Sequence, residues 1–136
     1  MTSAAVARLH AAVAQAAPLA VRGRLTRITG LAVEAVLGGV RIGELVEIRN
    51  PGRPALQAEV VGLRDDRAVL MPLGEVMGLG LDGEVLATGR PLSIRVGEAL
   101  RGRILDGLGR PADGAPLPAG LAEWPAVRPP PAPLSR

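Results

Sequence analysis

The chain has 136 residues and an apolar share of 48%, enough for one domain with a core, but its single aromatic residue is Trp124, so that core falls to Val, Leu, Ile and Ala. All 16 basic residues are arginine, which excludes Schiff-base lysine chemistry and the phosphate-reaching lysine of a P-loop; the lack of cysteine excludes disulfides and thiolate metal sites, and fits a reducing compartment. The net charge of +3 lies at the two ends, since residues 21–100 carry ten arginines and ten acids; with no aromatic platforms for bases, this is not the one-sided basic footprint of a nucleic-acid binder.

At the N-terminus, Ala14-Gln15-Ala16 has the form of a small-residue cleavage site, but Arg8, His10 and Gln15 interrupt any hydrophobic region ahead of it. The uncharged stretch over 9–21 is too short to span a bilayer. Residues 3–17 are instead read as one helix, capped by Thr2 or Ser3, rich in alanine and stopped by Pro18. At ~100° per residue, Val6, Leu9, His10 and Val13 share one face, with Arg8 and Gln15 opposite.

From Val21 the apolar period changes to two. Residues 21–28 alternate apolar or small with polar, the mark of a half-buried strand, and after Gly30 the pattern resumes over 31–36. Gly38-Gly39 turns the chain; residues 44–49 form a third strand closed by Asn50-Pro51-Gly52. Strands over 56–63 and 68–73, joined by Arg64-Asp65-Asp66-Arg67, have hairpin spacing, and a sixth strand covers 84–88. Short strands at near-regular spacing with glycine punctuation predict a small closed barrel, with Val33, Ile48, Val60 and Leu70 inside. After Gly97 the composition shifts. Residues 98–105 suit a turn plus a strand, and eight of the 13 prolines fall in 111–133, an extended or polyproline segment that does not pack as a domain.

Candidate chemistry is sparse. Gly78-Leu79-Gly80-Leu81-Asp82-Gly83 spells G-x-G-x-x-G, but the dinucleotide motif needs a following helix, and Pro91 leaves no room for one. Gly107-Leu108-Gly109-Arg110-Pro111-Ala112 spells the alanine variant, and Pro111, Pro116 and Pro118 forbid its helix. Both read as turns. Asp65 and Asp66 are neighbours on a hairpin tip, flanked by arginines, and read as a solvated turn rather than an acid–base pair. His10 has no second imidazole to share a metal and is read as partly buried packing, and Trp124, between prolines, as an anchor for the linker. No catalytic, cofactor or metal residue is assigned.

Several segments, in order, resemble the start of the type III secretion ATPases, which are similar to the flagellar export ATPase and to the catalytic subunits of rotary ATP synthases. They are Gly23-Arg24-Leu25-Thr26-Arg27-Ile28-Thr29-Gly30, Val40-Arg41-Ile42-Gly43-Glu44-Leu45, Leu56-Gln57-Ala58-Glu59-Val60-Val61-Gly62 and Met71-Pro72-Leu73-Gly74-Glu75. They close with Val96-Gly97-Glu98-Ala99-Leu100, Gly102-Arg103-Ile104-Leu105-Asp106-Gly107-Leu108-Gly109-Arg110-Pro111 and Ala132-Pro133-Leu134-Ser135-Arg136. Residues 40–45 and 132–136 look more like the injectisome branch than the flagellar one.

The resemblance implies an all-β fold: a small closed antiparallel β-barrel of about six strands with an N-terminal helix and a Pro-rich C-terminal tail. The expected divisions are 1–19 for the helix, 20–96 for the barrel, and 97–136 for a transition and linker toward a nucleotide-binding domain that this sequence does not contain. No G-x-x-x-x-G-K-[ST] is present, so this chain alone is expected to be inactive, an N-terminal fragment whose parent would bind ATP and Mg. The parent would be a cytoplasmic homo-hexamer, associated peripherally with the export apparatus at the membrane. Its stator, or peripheral-stalk, regulator would dock on Val6, Leu9 and Val13, the alternative being that this helix packs on its own barrel or frays, with the barrel serving ring assembly. The alternatives are the flagellar paralogue and a nucleic-acid-binding small barrel.

Overall fold

The computed structural model describes residues 21–129, which form eight strands, one short 3-10 helix and turns. The helix predicted over 3–17 lies outside the described residues, as does the tail over 130–136.

Six strands carry the period-two pattern: β1 (Arg22–Thr29), β2 (Ala32–Val36), β3 (Glu44–Arg49), β4 (Leu56–Arg64), β5 (Arg67–Pro72) and β6 (Glu84–Pro91). They close an antiparallel barrel in the order β1-β2-β5-β4-β3-β6, with β6 returning to β1. Alternation decides which side chains go inside. In β3, Val46 and Ile48 are buried while Glu47 between them is not. The register carries this around the wall: Val33 faces Leu70, Leu70 faces Val60, and Ile48 faces Val85. The four residues predicted inside, Val33, Ile48, Val60 and Leu70, are each 0% or 1% exposed. The core is wholly aliphatic, with no buried polar or charged residue among those described.

Both ends of the barrel are closed by connections that skip strands. Residues 37–43 run from β2 past β5 and β4 to β3, burying Leu37 and Val40 and donating the Gly43 N–H to the Val60 carbonyl at 2.7 Å. Residues 73–83 cross the opposite end from β5 to β6, where Leu79 packs against the core and Asn50 Nδ2 donates to the Gly80 carbonyl at 3.2 Å and to Asp82 Oδ1 at 2.9 Å. Close packing of β1 on β2 requires a glycine: a Cβ at Gly23 would collide with the Val36 carbonyl and the Leu37 side chain.

Beyond the barrel, β7 (Ser93–Val96) pairs antiparallel with β8 (Ala122–Pro125), placing Ile94 opposite Trp124. Part of the Pro-rich stretch is therefore held in a sheet, because Pro125 sits at a strand end where its missing N–H costs no ladder bond. The Ala126 N–H continues the attachment, donating to the Leu92 carbonyl at 2.8 Å. In place of the turn and strand expected over 98–105, the chain makes a 3-10 helix at Glu98–Leu100 and a single bridge between Leu105 and Pro111.

Candidate functional site

The glycine motifs are turns in the structure. Residues 78–83 belong to the connection between β5 and β6, and a strand follows them rather than a helix. At Gly83 a Cβ would press on the Asn50 and Leu25 side chains, so this glycine serves packing. In 107–112, the backbone donors of Leu108, Gly109 and Arg110 are already engaged, Gly109 by the Asp106 carbonyl at 3.0 Å. The Asp106 carboxylate accepts the Leu108 N–H at 2.9 Å and the Arg110 N–H at 2.8 Å. Those bonds, chiefly the one from Arg110, hold the Asp106 carboxyl below its ordinary value. Asp113 is lowered likewise, first by the Arg103 guanidinium, which donates to it from Nη2 at 2.9 Å, and then by the Ala115 N–H.

Asp65 and Asp66 form the tip between β4 and β5, with Asp65 at φ 55° and Arg64 opposite Arg67. Trp124 is 48% exposed, and its ring carries Arg128 at 3.9 Å from the centroid. Among the described residues no group of three His, Cys, Asp or Glu is placed to hold a metal, and no helix is long and apolar enough to cross a membrane. Val6, Leu9, His10 and Val13 lie outside the described residues.

What the structure does bring together is a pair of unlike faces on the barrel's outer wall. The strand order sets β4–β5 diametrically across from β6–β1. The outer face of β4–β5 exposes the apolar residues Val61 and Met71, with Glu59 opposite Met71, while Leu63 pairs with buried Ala68 on the inward side at the strand's end. Val61 sits where the β4–β5 register shifts, so a bulge adds an apolar residue to the outer surface. The β6–β1 side is ionic. Arg22 meets Glu84 at 2.9 Å, and Glu47 and Arg49 on neighbouring β3 pair at 2.6 Å, which raises the Arg49 pKa. The Arg67–Glu34 pair, at 3.6 Å, joins β5 to β2. Sequence reasoning missed these faces. The Val60-Val61 step that breaks the alternation is the local signal of the bulge, but the opposition of the faces follows from strand order.

Residues 25–89, the barrel itself, match the family model of the ATP synthase alpha/beta family, beta-barrel domain. The chain is similar to the flagellum-specific ATP synthase of Caulobacter vibrioides, 42% identical over 127 residues, which is 90% of this chain and 28% of that protein. It is also similar to the type 3 secretion system ATPase of Xanthomonas euvesicatoria, 44% identical over 93 residues, 68% of this chain and 21% of that protein. The chain is similar to the N-terminal portion of type III secretion and flagellar export ATPases. It corresponds to their N-terminal portion, the ATP synthase α/β barrel, and spans about a quarter of the length of such relatives, 25% for the SPI-2 type 3 secretion system ATPase of Salmonella typhimurium. A smaller relative, an uncharacterised 12.2 kDa protein of Yersinia enterocolitica, is 49% identical over 78 residues, 69% of its own length.

Proposed function

We propose that this chain is the ring-assembly and partner-docking domain of an ATPase that powers type III protein secretion at the cytoplasmic face of the export apparatus. The family match supports the parent activity. The observation that carries the assembly role is the opposition of the β4–β5 side, which exposes Val61 and Met71, to the ionic β6–β1 side. A ring of identical subunits is joined head to tail, so each subunit needs two different faces on opposite sides. A closed barrel supplies them while leaving only short stretches of open strand edge. The parent assembles as a homo-hexamer, and its ATP and Mg are held by residues outside this chain, which has no P-loop and no lysine.

The docking role falls to Val6, Leu9 and Val13, whose i, i+3, i+7 spacing is that of anchors laid into a partner's groove, here a stator regulator. Each anchor contributes roughly 1.5–3 kcal/mol if fully buried, offset by the ordering of a short helix. Within the family the injectisome branch is favoured by the sequence over 40–45.

A chimera tests this reading. The N-terminal portion of the Xanthomonas euvesicatoria type 3 secretion ATPase is replaced by this chain, and oligomer size is measured by sedimentation. Rings should form, and Met71→Glu should shift them toward monomers without lowering the barrel's melting temperature. A folded chimera that stays monomeric, or rings indifferent to Met71→Glu, would overturn the proposal.

A further inference from the structure

The closed barrel has strand ends that overhang their neighbours, and one of them opens a groove. β6 runs to Pro91, but the ladder on its β1 side ends where the Ala87 N–H donates to the Val21 carbonyl at 2.9 Å. Beyond that point Thr88–Pro91 lose their β1 neighbour, and a groove of about 530 Å³ opens between the end of β6 and the approach to β3. Its apolar lining is Val21, Ile42, Ala87 and Pro91, with Val21 43% and Ile42 66% exposed. Gly39, Gly43 and Gly89 add backbone without side chains and keep it open.

Two of its polar groups are satisfied from within. The Gly89 N–H donates to Glu44 Oε1 at 2.9 Å, and Thr88 Oγ1 donates to the Leu45 carbonyl at 2.6 Å. An added strand would find the Gly89 donor taken, whereas an apolar side-chain stripe needs no backbone donors. The groove therefore suits the face of an amphipathic helix.

We propose that the occupant is the chain's own N-terminal segment, which seats Val6, Leu9 and Val13 in this groove. The segment joins the barrel at Val21, itself a lining residue, so its point of attachment lies in the groove wall. Val13 precedes Val21 by eight residues (21 − 13), a tether reaching at most ~26–29 Å, ample for the stripe to fold back after the break at Pro18. A short tether gives an effective concentration on the order of millimolar, so contacts too weak for an unlinked partner suffice. On the helix that the sequence predicts, Arg8 falls opposite the stripe, away from the groove's Arg41 and Arg90; Val6, Leu9 and Val13 carry no charge, and His10 shares their face, in a groove that also holds Glu44. A partner that binds the same three residues must displace them from the barrel, so seating in cis and docking in trans exclude each other. The seat itself requires no regulator.

The absence of cysteine makes a single-site test possible. Ala11→Cys, on the far side of the predicted helix from the stripe, carries a nitroxide, and line broadening of the barrel's amide resonances is measured. Ile42 and Gly89 should broaden several-fold more than Val61 and Met71, and the difference should vanish in the Leu9→Asp variant. The amide shifts of Val60 and Leu70 confirm that the barrel stays folded in that variant. Equal broadening on all sides, or broadening that survives Leu9→Asp, overturns the proposal. Isotope-labelled chain without nitroxide, mixed with unlabelled nitroxide chain, should show no broadening at Ile42 or Gly89; broadening there means that a second copy fills the groove and also overturns it.

Discussion

Between residues 22 and 91 the chain buries twelve aliphatic side chains, whereas among the described residues after Pro91 only Gly109 is buried. The second region is held instead by carboxylates that tie down backbone N–H groups, by Arg103 with Nε and Nη2 at 2.8 and 2.9 Å from the two oxygens of Asp113, and by the four-residue pairing of β7 with β8. The two regions thus answer to different forces. Apolar burial does not depend on protonation and is not screened by salt, while exposed charge-assisted hydrogen bonds depend on both. The barrel is built to persist as a unit, and the following arm to hold a local shape.

The largest expected effect breaks the barrel's side of this contrast. Val60→Asp places a carboxylate in an aliphatic core with no partner, and should destabilise by roughly 3–5 kcal/mol, of the order seen for uncompensated buried charges. That corresponds to a fall in melting temperature of more than ~12 °C. An unchanged melting curve would mean that β4 presents its other face to the core. Gly23→Val comes next. Its side chain would strike the Val36 carbonyl and force β1 from β2, at a cost of roughly 1–3 kcal/mol in thermal or denaturant unfolding.

A milder effect separates the two regions by pH. Asp106 and Asp113 are lowered in the folded chain from the ordinary 3.8. Groups with depressed values contribute stability above the unfolded value, and that stability is lost as pH falls through the folded one. Acidification below about pH 4 should therefore loosen the arm first. The amides of Leu108, Arg110 and Ala115 should exchange faster there, while Val46 and Val60 in the barrel keep their protection. Simultaneous loss at both sets of amides would contradict the contrast. The smallest effect is at Arg22–Glu84, whose side chains are 62% and 40% exposed. Arg22→Ala should change stability by roughly 0.2–1 kcal/mol, less in high salt, even if it disturbs assembly more.

How far the sequence could be read follows the same division. The six barrel strands were legible because one side of each faces an apolar core, which imposes a period of two, as in Glu44-Leu45-Val46-Glu47-Ile48-Arg49. β8 was not legible. Ala122-Glu123-Trp124-Pro125 buries nothing, so burial imposes no period, and its partner Ser93 pairs with Pro125 from 32 residues earlier (125 − 93). The Asp106 turn was readable only as a turn, since the bonds that its carboxylate makes depend on where Leu108 and Arg110 point. The candidate faces depend on two strand-skipping connections, which alternation does not encode, although the apolar Val61 beside Val60 marks the bulge. The family was legible in the order of its segments, most of which lie in the barrel that the family model matches.

The central claim is that these residues act through surfaces, not through a nucleotide site. Calorimetric titration of the chain with Mg-ATP tests it most directly. No saturable heat is predicted, because the chain has neither a P-loop nor a lysine, and the Leu108, Gly109 and Arg110 N–H groups of its Gly107–Ala112 turn are engaged by Asp106. A saturable site of micromolar affinity or better would contradict the account.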